Sequence, residues 1–270
     1  MILNNIYIVA AFTLREILAS PAFRALLAAT ALFAIMALAV SNLFLLETVK
    51  VQLDFLWLGM SLLGAGFSLF IGTTLMGHDI TRGTASLFLP HMDRHSYLLG
   101  RTAGLTLALT LLLALMAVLS TATVAWGLEH ALPDRAAGIS LWSAIIMGLF
   151  ALLQSATILA MVLFTCSWAT GVVEMMLFSS AFTLMAYLLP SVMSAITSSE
   201  VIAQVPAWSA AFIHTIDYLF PDMSGGQVAL CIAHGLTLPT AELGWYLAGQ
   251  CGYIITLVAA ALLLFDRRDL

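Results

Sequence analysis

Long apolar runs separated by short polar breaks organise this chain from one end to the other. A helix needs about 20 mostly apolar residues to cross the roughly 30 Å hydrocarbon layer of a bilayer. Six segments meet that requirement: about 21–46, 53–77, 97–126, 141–164, 172–195 and 243–265. Ser20 is placed to cap the first of them, with Pro21 in the first turn, where its missing N–H costs nothing. The pattern predicts an all-α polytopic membrane protein, with residues 1–270 forming a single transmembrane domain.

Two stretches do not fit the spanning template. In residues 1–20, Ile2, Ile6, Val9, Thr13 and Ile17 recur at helical spacing, with Asn5, Arg15 and Glu16 elsewhere on the surface. This predicts an amphipathic helix lying in the membrane interface. Residues 197–242 are too apolar for a solvated loop, yet Pro206, Pro221, Gly225, Gly226, Gly235 and Pro239 break them into short pieces. Two re-entrant half-helices dipping into the outer leaflet fit that pattern, because irregular backbone at depth must be enclosed by protein.

Composition and charge sharpen this picture. Hydrophobic residues make up 62% of the chain and charged residues 9%, against about a quarter charged in a typical soluble domain. With six spans, Arg15, Arg24, Arg82, Arg94, Arg101, Arg267 and Arg268 fall on one side, and only Lys50 and Arg135 on the other. The positive-inside rule then predicts both termini in the cytoplasm. The first twenty residues lack a basic leader region, and the apolar run after Pro21 is too long for a cleaved signal, so none is expected. Cys166, Cys231 and Cys251 show neither zinc nor redox spacing.

Little in the chain suggests chemistry of its own. Ser224-Gly225-Gly226-Gln227 imitates an ATPase signature, but no phosphate loop accompanies it, and Lys50 is the sole lysine. His91 and His95, at i and i+4, lack a third metal ligand. Cys231 and His234, with His214 and Met223 in the same outer segment, read as interfacial packing before copper or zinc ligands. No metal site, catalytic residue or nucleic-acid partner is expected. Any driven work then takes its energy from another chain.

The polar island 78–96 lies between spans two and three and carries Asp79, Arg82, Asp93, Arg94 and three histidines. Its Asp79, Arg82, Gly83-Thr84, Pro90 and Arg94, followed by Leu99-Gly100-Arg101, resemble the coupling loop of type-2 permease ABC exporters. The ending 265–270 (FDRRDL) and the broken outer segment are similar to that family as well. Asp79 stands where glutamate is commoner, and Arg101 where lysine is. The resemblance implies a permease subunit that pairs with a second copy, or a related chain. It further implies docking of two ATPase subunits, which supply ATP and Mg chemistry, in the cytoplasmic (inner) membrane.

On that reading Phe88 or Leu87 fills a cleft on the ATPase, and Asp79, Arg82 and Arg94 set charge register at its rim. Gly83, Thr84 and Pro90 shape the loop. Ser68 and Thr73 of span two, with Ser180, Thr183 and Tyr187 of span five, read as helix packing or as the lining of a path. Glu174 reads as an interfacial anchor ahead of a proton relay. The competing class is an ion-coupled secondary transporter, which ordinarily carries charge near the midplane and internal repeats. An integral membrane enzyme or a scaffold remains open on sequence alone.

Overall fold

The computed structural model describes residues 2–43, 47–81, 92–130, 138–196, 215, 220–223, 225–236 and 240–267. Among these the regular structure is all helix, with no strand. We number the helices α1 (Ile2–Ala19), α2 (Pro21–Ser41), α3 (Thr48–Gly66), α4 (Thr73–Thr81), α5 (Arg94–His130), α6 (Trp142–Trp168), α7 (Val172–Ile196), α8 (Gly225–Ala233) and α9 (Thr240–Asp266). A π-helical segment, Phe67–Gly72, joins α3 to α4 without a break.

Six helices are long and apolar enough to span a membrane. They are α2, the continuous α3–α4 unit, α5, α6, α7 and α9, in the order the hydropathy pattern predicts. Ser20 caps α2 as expected, accepting the Phe23 N–H at 3.1 Å. The helices α3–α4 and α5 run several residues past the predicted limits, to Thr81 and from Arg94 to His130. Their ends are polar, and hydropathy alone stops counting there.

The bundle is centred on α6. Of its most apolar window 67% is buried, against 22% for α2 and 11% for α9. Between α6 and the α3–α4 unit the approach is close. Gly64 leaves room for the Ser155 side chain, and Ser68 donates to the Ser155 carbonyl at 3.0 Å. Small residues give this closeness, and a hydroxyl satisfies a carbonyl across the interface. The π-helical segment lies at this contact; such widened turns recur at functional positions in helices.

The amphipathic stripe of α1 turns out to face protein. Val9, Thr13 and Ile17 are buried, and the principal contact of α1 is with α5. There Gly100 and Gly104, four residues apart, admit Val9 and Thr13 against the backbone. Leu3, Tyr7, Ile8, Phe12 and Leu18 point outward instead. The helix is apolar on both faces. Periodicity located the stripe but gave no sign of what it would meet.

Candidate functional site

The first turns of α5 and the last turn of α4 flank the polar island. Residues 82–91, including Arg82, Gly83, Thr84, Phe88, Pro90 and His91, lie outside the described residues. The base of that segment, where α4 ends and α5 begins, is a buried charge network.

Arg101 is at its centre, 2% exposed. Its Nη2 donates to Asp79 Oδ1 at 2.8 Å, and its Nη1 donates to Glu16 Oε2 at 2.7 Å and to Thr13 Oγ1 at 3.1 Å. Its Nε donates to the Tyr97 hydroxyl at 3.3 Å, and that hydroxyl donates to Asp79 Oδ2 at 2.5 Å. The guanidinium also lies 5.5 Å from the Phe12 ring centre, within cation–π range. The Tyr97 ring stacks on Phe265 near the end of α9. One arginine thereby joins α1, α4 and α5, and Tyr97 adds α9.

The sequence order explains the arrangement. A guanidinium in an apolar helix needs a carboxylate and further acceptors, since an unpaired charge at that depth is costly. Asp79 supplies one carboxylate from the far side of the polar island and Glu16 another from α1. Gly100 and Gly104 bring α1 within reach. Asp79, expected among exposed rim charges, is 4% exposed and faces inward. Thr13, Glu16 and Tyr97 are not among the site residues the sequence predicts. An arginine inside the Gly-x-x-x-Gly stretch of a spanning helix marks Arg101 as needing partners without naming them.

Arg94 is half-buried, and its Nη1 donates to the Asp266 carbonyl at 2.9 Å, tying the start of α5 to the end of α9. Together with Asp93 and His95 these residues line an open groove of about 430 Å³. Asp93 and His95 are exposed.

The other candidate residues are scattered. Ser68 and Thr73 are fully buried; Ser68 bonds α6, and Thr73 bonds the Leu69 carbonyl of its own helical turn. Thr183 is buried, and its hydroxyl has no hydrogen-bond partner among the described residues. Ser180 is half-buried, and Tyr187 is exposed on α7. Glu174 is at the third residue of α7 and accepts from the Thr170 N–H at 3.1 Å, the Thr170 hydroxyl at 2.9 Å and the Gly171 N–H at 3.4 Å. A carboxylate reaching back to amides at a helix start is one arm of a capping box.

A second polar cluster lies on α6 and α9. Gln154, the thirteenth of the 27 residues of α6, donates to the Met223 carbonyl at 2.9 Å. Gln250 donates to the Asp222 carbonyl at 2.5 Å and accepts from Thr157 at 2.6 Å. At the other end of α8, Ser143 donates to the Ala233 carbonyl at 3.1 Å. His234 Nε2 lies 3.0 Å from Asp54 Oδ1. Among the described residues, no three His, Cys, Asp or Glu side chains gather as metal ligands.

No family model matches this chain, and no curated protein matches it.

Proposed function

We propose that this chain is the transmembrane permease subunit of an ATP-driven exporter of the type-2 ABC class. Two copies form the path, and two separate ATPase subunits dock on the 78–96 segment. The observation that carries the reading is the buried base of that segment. Asp79 on one side and Tyr97 and Arg101 on the other are locked together, while Arg94 anchors α5 to α9. Such a base holds the two ends of the segment at a fixed spacing, which suits a docking platform.

Several features support the finer points. Seven basic residues against two favour the cytoplasm for the docking side. The outward apolar face of α1, with exposed Arg15, suits a helix at the lipid boundary. Gln154 holds Met223 near the middle of α6 while Ser143 holds Ala233 near its start. These contacts favour a half-depth α8, climbing about 13 Å at 1.5 Å per residue.

The test is purification of the tagged chain from its native membranes in mild detergent, with mass identification of what accompanies it. A stoichiometric protein carrying a phosphate-binding loop supports the permease reading. The chain recovered alone, folded and in good yield, overturns it.

A further inference from the structure

We propose that His234 and Asp54 form a pH-dependent latch, which closes the seam between α8 and α3 in acid and leaves the end of α8 held by α6 alone at neutral pH. The latch needs no ATPase partner, and it stands or falls independently of the permease reading.

The latch lies at the end of the bundle opposite Arg101; with the termini in the cytoplasm, that end faces outside. Helix α8 stops there in a glycine-terminated turn. The Gly235 N–H bonds the Ile232 carbonyl at 3.1 Å and the Leu236 N–H bonds the Cys231 carbonyl at 2.9 Å, with Gly235 at φ 75°. His234 therefore sits at the carbonyl end of the helix, where a positive charge is favoured.

Three contacts hold this end. Ser143, at the start of α6, donates to the Ala233 carbonyl at 3.1 Å. Gly138, just ahead of α6, meets Gly235 backbone to backbone: a Cβ on Gly235 would come within 2.6 Å of the Gly138 carbonyl oxygen. Both contacts tie α8 to α6, and neither titrates. The third reaches α3, where Asp54 Oδ1 lies 3.0 Å from His234 Nε2.

The geometry of that third contact makes it depend on charge. Nε2 is buried and makes no hydrogen bond, so the carboxylate stands off the N–H direction. What remains is the attraction between imidazolium and carboxylate, which vanishes when the ring is neutral. Imidazole ordinarily takes up its proton at about pH 6.5. The attraction is present below that pH and is lost as pH rises through it.

The neighbouring elements bring no rival partner. On α3, Lys50 pairs with Glu47 at 2.9 Å. On α5, His130 bonds the Trp126 carbonyl and stacks on the Trp126 ring, and Glu129 is exposed. The first turns of α6 carry no ionisable side chain, and the Tyr246 hydroxyl of α9 lies against Gly225, at the other end of α8. On α8 itself the titratable side chain is Cys231, half-buried. Among the described residues, no other charged side chain lies within ion-pair distance of His234. At neutral pH, Ser143 and Gly138 keep α8 on α6 while its end parts from α3. The pivot is the first turn of α8, where Gly226 packs beneath Trp57 of α3.

Distances between spin labels on the purified full chain in lipid nanodiscs test the latch. Labels are placed at Leu58→Cys on α3 and Leu236→Cys just past α8, both exposed, with Cys166, Cys231 and Cys251 replaced by alanine. Raising the pH from about 5 to about 8 is expected to lower the ratio of short to long distances about two- to five-fold, the range of an ion pair open to solvent. His234→Gln should give the long population at either pH. His234→Arg, which keeps the charge, should give the short one at either pH. Asp54→Asn should remove the pH response. A reference pair, Leu62→Cys and Leu149→Cys on α3 and α6, should not respond. No response in the unaltered protein overturns the latch, as does a full response in Asp54→Asn or His234→Arg, or an equal one in the reference pair.

Discussion

Gly100 of α5 lies so close beneath Val9 of α1 that a Cβ placed on it would come within 2.6 Å of Val9 Cβ and 3.0 Å of the Ile6 carbonyl. Backbone cannot yield as a flexible side chain can, so Gly100→Val should push α1 off α5. A cost of about 1–3 kcal/mol is expected for such overpacking. Faster tryptic cleavage at Arg15 in detergent-solubilised protein is the readout. Gly66→Ala is the control: no atom of the described residues lies within 4 Å of its added methyl, and a helix-interior glycine replaced by alanine gains about 0.5–1 kcal/mol.

Removing one member of the buried charge pair should cost far more than removing both. Asp79→Leu leaves Arg101 with only the part-exposed Glu16 as counterion, and Arg101→Met leaves the buried Asp79 without its cation, the latter a loss of about 3–5 kcal/mol. The double change Asp79→Leu/Arg101→Met should recover much of that, Glu16 being exposed enough to stay hydrated. Denaturation in detergent for the four proteins of the cycle measures the coupling. Additive single effects would show that the pair does not act as a unit.

Gln154→Leu should loosen the connection between α6 and the segment ahead of α8. The Met223 carbonyl would lose its donor, and a buried unsatisfied polar group costs about 1–3 kcal/mol. Cys231, half-buried on α8, reports the loosening through quicker reaction with a membrane-impermeant maleimide. An unchanged rate would mean that Gln250 and Ser143 hold the segment without Gln154.

Glu174 separates the permease reading from the ion-coupled carrier. Glu174→Gln keeps an oxygen that can accept from Thr170 and Gly171 and removes only the charge. The capping role seen here predicts that transport persists in this variant and that Glu174→Ala impairs helix α7. Abolished transport in Glu174→Gln, with assembly intact, would favour a carrier that moves protons through this carboxylate.

The sequence by itself determined the six spans, their order and their ends to within a few residues, because each is a local property. A run of apolar side chains long enough to cross a bilayer needs no partner to be recognised. The cap at Ser20 and the first-turn position of Glu174 were equally local. The tertiary structure alone decided what the polar residues do. Asp79 and Arg101 are 22 residues apart, and Glu16 is a further 63 before Asp79. No local pattern says that they converge. The α1 stripe was legible as a stripe, yet its partner was α5 and not lipid, since hydrophobic periodicity marks a buried face without naming what buries it. Depth brings these distant groups together: a charge inside a spanning helix cannot find water, and so it selects its partners from whatever the fold places beside it.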